Sequence, residues 1–162
     1  MGDVRDNWTW RAGPVDPGPA VVFDIDGVLS DAAGRQHFLE APTRDWRAFF
    51  DAAANDPLIE EVARLLELLD PGLTVVLLTG RPRRVRDLTV GWLERYGLRW
   101  DLLVMRAFGD YDAAPVFKRQ TVGELRTGGF DLRLAFEDDR RNVDMFRDEN
   151  VPCIYIHSGY YD

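Results

Sequence analysis

The stretch Ala20–Asp31, AVVFDIDGVLSD, decides the fold. Its opening, Ala20–Ile25 (AVVFDI), is a short β-branched apolar run and reads as a strand. The run is apolar at nearly every position, which predicts a strand covered on both faces, as in a parallel sheet. It ends on Asp24, Asp26 and Gly27. Carboxylates at i and i+2 of an extended segment project to the same side, with Cα atoms about 6–7 Å apart. Two such groups at the end of a buried strand are costly unless neutralised, so a cation is expected beside them. Gly27 lets the chain turn away while its backbone approaches a ligand.

Outward from this stretch the apolar pattern repeats at Leu73–Leu78 (LTVVLL), Asp101–Met105 (DLLVM), Leu132–Phe136 (LRLAF) and Pro152–Ile156 (PCIYI). Helical patterns separate these runs. Asp56 is placed to cap a helix opened by Pro57, with Leu58, Val62, Leu65, Leu66 and Leu69 on one face. Val85, Leu88, Trp92, Leu93 and Tyr96 share a second helical face that Gly97 ends. Pro115 opens a third helix, with Thr121, Val122 and Leu125 inward and Gly128–Gly129 closing it. Val143 and Phe146 mark a fourth over Arg140–Glu149. Alternation of strand and helix predicts an α/β fold.

Residues 1–19, rich in Gly and Pro, read as an irregular lead-in whose Trp8 and Trp10 pack on the domain. Residues 31–55 read as a small cap-like insert, with Trp46, Phe49 and Phe50 on one face of a short helix. The 162 residues suit one domain; they are 46% apolar and 30% charged, the balance of a globular chain. No apolar run approaches the roughly 18 residues that span a bilayer, and the polar N-terminus does not read as a signal peptide. The single Cys153 can form neither an internal disulfide nor a cysteine metal site, and the expected location is cytoplasmic. A net charge of −8 argues against tight, non-specific nucleic-acid binding. Arg81, Arg83, Arg84 and Arg86 concentrate positive charge in one stretch, as a solvated helix face or as a phosphate-facing patch.

Four polar groups fall at strand ends, the edge where open α/β sheets bind ligands. Asp24-Ile25-Asp26-Gly27 is the first. Thr79-Gly80-Arg81-Pro82 is the second; its hydroxyl and backbone N–H groups could hold phosphate oxygens, or Thr79 could cap the next helix. Lys118 is the third, placed early in its helix against the macrodipole, either to neutralise a phosphoryl group and a carboxylate or to face solvent. Glu137-Asp138-Asp139 is the fourth, hard oxygen donors suited to Mg²⁺ or an acidic helix start. Arg81 and Arg106 are candidates for substrate phosphate, which guanidinium groups bind bidentately. Arg35 and His37 are candidates for substrate contact, although a histidine at such a place more often packs.

Taken in order, FDIDGVLSD, LLTGR, Phe117-Lys118 and AFEDD resemble the four motifs of the haloacid dehalogenase superfamily, across about residues 20–156. The resemblance implies a three-layer, Rossmann-like parallel sheet of about five strands, in the order 3-2-1-4-5, with the insert after strand one. It implies phosphoryl transfer, since superfamily dehalogenases lack the second aspartate. Asp24 would be the nucleophile and form an aspartyl phosphate, and Asp26 the general acid and then base. Mg²⁺ would be held by Asp24, the Asp26 backbone carbonyl and Asp138, with Asp139 acting directly or through water. Thr79 and Lys118 would stabilise the transferring group, and Gly80 and Arg81 would contact it.

A narrower resemblance is to the phosphatase domain of polynucleotide kinase/phosphatase enzymes. It rests on Asp31, Arg35-Gln36-His37, Asp45-Trp46, Thr79-Gly80-Arg81, Met105-Arg106, Gly109-Asp110 and Asp138-Asp139-Arg140. That family removes 3′-phosphates from nucleic-acid ends, which makes the expected partner such an end or a phosphorylated small molecule. The chain departs from the family in lacking a kinase P-loop and an Arg-Pro-Asp within residues 111–117. The competing reading is a phospho-accepting signalling receiver without turnover. There the acidic pair follows strand one; here it follows strand four.

Overall fold

The computed structural model describes residues 5–40 and 42–161. The first four residues of the lead-in, Ala41 of the insert and the closing Asp162 lie outside the described residues.

Six strands form one sheet: β1 (Trp8–Trp10), β2 (Pro19–Phe23), β3 (Thr74–Pro82), β4 (Leu102–Arg106), β5 (Asp131–Glu137) and β6 (Cys153–Tyr155), in the order β1-β4-β3-β2-β5-β6. The five strands read from the sequence take the expected order and run parallel, with β2 at the centre between β3 and β5. The sheet is nevertheless mixed. The lead-in read as irregular contains β1, which pairs antiparallel with β4, Trp8 opposite Val104. Three residues are too few for a periodic signal, and the partner strand supplies the pairing. Trp8 and Trp10 do pack on the domain, the Trp10 ring 6.2 Å from that of Phe130.

Side chains of β2 alternate between two cores, as period-two geometry requires. Val21 and Phe23 face a cluster with Leu66 of α3 (Glu60–Leu68) and Leu93 of α4 (Arg86–Arg95). Ala20 and Val22 face another with Val122 and Leu125 of α5 (Ala114–Thr127) and Val143 and Phe146 of α6 (Arg140–Asp148). This gives three layers. Pro115 sits in the first turn of α5, and Gly128 is its C-cap. Gly97, at φ +61°, follows α4, and its N–H donates to Glu94 O (3.0 Å).

One helix start differs from the expectation. α3 begins at Glu60, not Pro57, and Asp56 caps nothing. Its carboxylate is drawn instead to the Arg35 guanidinium, Nε at 2.8 Å, and to the Ser30 hydroxyl. A charged hydrogen bond to a buried cation outweighs one helix cap. Residues 33–40 and 46–55 form short helical turns that include α1 (His37–Glu40) and α2 (Trp46–Asp51). In α2 Phe49 is buried, whereas Trp46 is 47% exposed.

Candidate active site

Strand register builds the site. Phe23 pairs with Phe136 across β2 and β5, and their rings stack at 4.2 Å. One step further, the Asp24 N–H donates to Phe136 O (3.1 Å), which sets Asp24 beside Glu137 at the strand ends. α5 brings Lys118 over the same point. Its Nζ lies 3.2 Å from Asp24 Oδ1 and 2.8 Å from Glu137 Oε2. Asp138 completes the group: ligand atoms of Asp24, Glu137 and Asp138 lie within 4.8 Å of one another. All four side chains are buried.

Three carboxylates around one ammonium leave an excess of buried negative charge. Burial raises Asp24 well above the usual carboxylate range; the Glu137 charge adds to this and Lys118 opposes it. Burial also pushes Asp138 up to about 7, with Glu137 adding to the rise. Neither buried oxygen of Asp138 has a hydrogen-bond donor among the described residues, although Asp24 and Ser158 lie beside it. An orphaned carboxylate among further acids is the donor set of a hard divalent cation. The residues therefore fit Mg²⁺. The lysine responds in the opposite sense: Asp24 and Glu137 outweigh its burial and hold Lys118 firmly protonated, above its ordinary value.

Glu137 was grouped with the acidic run but given no role of its own. It links two parts of the site. Its Oε1 accepts from the Asp138 and Asp139 N–H groups (3.2 and 3.4 Å), and its Oε2 takes the lysine. It thereby shapes the turn that presents Asp138 while holding Lys118. The signal was present in the sequence: aligning AFEDD with VFDID by their strand ends puts Glu137 opposite Asp24.

Asp139, expected near the metal, turns elsewhere. It is the N-cap of α6, accepting from the Arg141 N–H (3.0 Å), and it pairs with the Arg141 guanidinium at 2.7 Å. A free helix N-terminus and an adjacent cation satisfy it locally.

Asp26 belongs to a second group. Arg81 donates to both of its oxygens, from Nη2 at 2.8 Å and Nε at 3.2 Å, and Arg35 Nη2 donates at 2.6 Å. Against its burial, these guanidinium groups lower Asp26 to about 2. Arg35, a candidate for substrate contact, and Arg81, a candidate for substrate phosphate, both bind carboxylates of the chain in this structure. Arg81 is fully buried, and its Nη1 goes to Thr89 Oγ1 (3.1 Å). Arg35 spends Nε on Asp56 and Nη1 on Phe49 O (2.9 Å). Every guanidinium nitrogen of both residues has an internal partner.

Thr79, also buried, does not cap α4. Its Oγ1 accepts from the Arg81 N–H (3.1 Å), across the irregular end of β3 that carries Gly80. Arg106 spans to that segment, Nε donating to Gly80 O (3.3 Å) and Nη1 to Asp112 O (2.6 Å). His37 is exposed on α1, its ring 4.0 Å from that of Phe38, and is not gathered with Asp24. Cys153 is buried, and burial pushes its thiol up to about 12, which leaves it inert. The closing segment reaches the site region: the Tyr160 hydroxyl donates to Asp31 Oδ1 (3.1 Å) and accepts from the Ala32 N–H (2.8 Å).

Gly27 is required twice over. Its φ is +82°, and a Cβ there would stand 2.1 Å from Asp138 Oδ2 and 2.7 Å from its Cγ. Gly27→Ala is expected to cost at least about 2 kcal/mol through backbone strain and the displaced carboxylate. It should also weaken the binding of Mg²⁺ at Asp138. Urea unfolding and a metal titration measure both, and an unchanged metal affinity would contradict the placement of Asp138.

A family model for the polynucleotide kinase PNKP phosphatase domain matches residues 18–161. A chain in a structure of the Pnkp1/Rnl/Hen1 RNA repair complex is similar at 30% identity and TM-score 0.74, over 93% of this chain and 46% of that one. A structure of the Pnkp1/Rnl/Hen1 complex matches at 30% identity and TM-score 0.75, over 92% and 48%. The present chain thus spans about half the length of these relatives. The class C acid phosphatase from Bacillus anthracis with tungstate bound shares the fold, at 15% identity and TM-score 0.62, over 91% of this chain and 69% of that one. No helix among the described residues is long and apolar enough to cross a membrane. Motifs, strand order and family model coincide over one span, and the chain belongs to the PNKP phosphatase-domain family of the haloacid dehalogenase superfamily.

Proposed function

We propose that the protein is a Mg²⁺-dependent phosphomonoester hydrolase acting on a nucleic-acid 3′ end or a nucleotide, with Asp24 as nucleophile. The observation that carries the reading is the convergence of Asp24, Glu137 and Asp138 on one point beside Lys118. Asp24 and Asp138 would hold the ion, with the Asp26 carbonyl. When bound, Mg²⁺ supplies the positive charge that ionises the buried carboxylates and neutralises phosphoryl oxygens.

In the reaction an Asp24 oxygen attacks phosphorus and forms the new P–O bond. The ester P–O bond breaks, and its electron pair leaves on the alcohol oxygen, which takes a proton from Asp26. Water then attacks phosphorus and gives a proton to Asp26, while the Asp24 O–P bond breaks, its electron pair returning to the Asp24 carboxylate and inorganic phosphate leaving. Asp26 at about 2 is ionised near neutrality. The phosphoryl charge brought beside it works against Arg81 and Arg35 and raises it toward protonation. Lys118 balances charge on the phosphoryl oxygens throughout. The acidic run follows β5 rather than the first parallel strand, which weighs against a receiver.

The test is phosphate release from a 3′-phosphorylated oligonucleotide and from p-nitrophenyl phosphate. Release in Mg²⁺ that stops on chelation and returns with Mg²⁺ is the expected result. Equal rates with and without the metal would refute the reading, and stable labelling by acetyl phosphate without turnover would favour the receiver.

A further inference from the structure

Phe108 and Tyr111 are the most exposed large apolar side chains among the described residues, each 91% in solvent. Single exposed aromatics are ordinary. These two share one short loop, and the loop is braced. The Asp110 N–H donates to Ala107 O (3.1 Å) with Gly109 at φ +81°, a tight turn with Phe108 at its corner. Asp110 Oδ1 accepts from the Asp112 N–H (3.0 Å). Polar bonds rather than burial hold both rings outward.

The brace also fixes where the rings stand. Arg106 ties the loop through Asp112 O to Gly80 O, just after Thr79. Its guanidinium lies 5.1 Å from the ring centroid of Phe117, the residue before Lys118. The loop therefore borders the phosphoryl site on two sides, between the end of β3 and the first turns of α5. The alcohol part of a bound phosphate ester must leave the buried carboxylates across the carboxyl edge of the sheet, where this loop stands.

We propose that Phe108 and Tyr111 form a stacking subsite for the nucleobase of the nucleotide that bears the scissile phosphate. The inference rests on the phosphomonoesterase reading and assigns its substrate side. An aromatic face accepts any base, since every base presents a π-face. The mode also suits the electrostatics. The chain carries a net charge of −8, and Asp110 and Asp112 stand in the loop itself, so a grip on backbone phosphates is disfavoured there. Contact with an uncharged base avoids that penalty.

The experiment uses the full chain with Mg²⁺ and the variant Phe108→Ala/Tyr111→Ala, whose changes lie at exposed positions. Three substrates are compared: adenosine 3′-phosphate, a 3′-phosphorylated oligonucleotide, and glycerol 2-phosphate, which has no base. The ratio of kcat/KM for adenosine 3′-phosphate to that for glycerol 2-phosphate should fall about tenfold or more, through KM. The oligonucleotide should follow, and Phe108→Tyr/Tyr111→Phe should restore both. Calorimetric binding of adenosine, which carries the base but no phosphate to hydrolyse, should weaken by a similar factor, a readout that does not depend on turnover. An unchanged ratio with unchanged binding overturns the proposal and leaves the loop as a protein-facing surface. Loss confined to the oligonucleotide also overturns it, because the base engaged would not be the terminal one. Absence of turnover in the wild type on all three substrates would count against the phosphatase reading, while the binding arm would still decide the subsite.

Discussion

Asp24→Asn is expected to lower phosphate release by at least about 10⁴-fold while making the metal-free protein more stable. The first effect follows from chemistry: an amide oxygen is a poor nucleophile, and removing a nucleophile typically costs most of the rate enhancement. The second follows from the sign of the Asp24 shift. Its folded-state value is raised, chiefly by burial and then by Glu137. Below the ordinary carboxylate range both folded and unfolded chains hold the proton, and nothing is lost. Above it the unfolded chain ionises freely and the folded chain does not, so stability falls as pH rises toward the folded value. Near neutrality without metal, Asp24 is therefore a liability that asparagine removes. With Mg²⁺ the advantage should reverse, because the ion stabilises only a site that binds it. Phosphate release and thermal melts at pH 7, in chelator and in Mg²⁺, measure the two effects. Retained turnover would remove Asp24 as nucleophile. A variant less stable than wild type in chelator would show that the carboxyl group is structural.

The meeting of Asp24 and Asp138 was legible in the sequence because neighbouring parallel strands present their carboxyl ends at one edge. Once β2 and β5 are read as neighbours, the residues after Phe23 and Phe136 must meet. Glu137 stood in the acidic group, but its separate role was not legible because the bond to Lys118 comes from a helix packed over the strand end. The internal pairing of Arg35 and Arg81 was not legible for a different reason. A guanidinium near a phosphate site can face the phosphate or support a carboxylate, and the choice depends on what else is buried. Asp56, 30 residues after Asp26, tips it. With Asp26 and Asp56 both turned inward, the two arginines are needed as internal counter-ions, and local spacing holds no record of that. β1 was illegible because its pairing is supplied by β4, whereas the helix stops at Gly97 and Gly128 were readable because they are local backbone events.

Arg81→Met is expected to destabilise the protein by about 3–5 kcal/mol at neutral pH, the cost of breaking a buried ion pair by removing one partner. Against the few to fifteen kcal/mol that hold a typical domain, this is a large fraction. The guanidinium is fully buried. It serves Asp26 twice and Thr89 once, lies 3.4 Å from Ser30 Oγ and stands 3.7 Å from Asp56. Methionine fills the volume but leaves Asp26 and Asp56 sharing Arg35 alone. The pH dependence identifies the cause. In the wild type Asp26 is lowered to about 2, so its contribution is complete above the unfolded value near 4 and drains away as pH falls toward 2. Without Arg81 the folded value should rise and much of that acid-sensitive contribution should vanish. The stability gap between wild type and variant should therefore be widest above pH 5 and narrow by about 2 kcal/mol toward pH 2. Urea unfolding at pH 5 and pH 3 follows the onset of that change, and Arg81→Lys, which keeps a charge but not the fork, should fall between. A gap that stays constant from pH 5 to pH 3 would mean that Arg81 acts through packing alone, and the ionised state of Asp26, with the proton transfers assigned to it, would need another source.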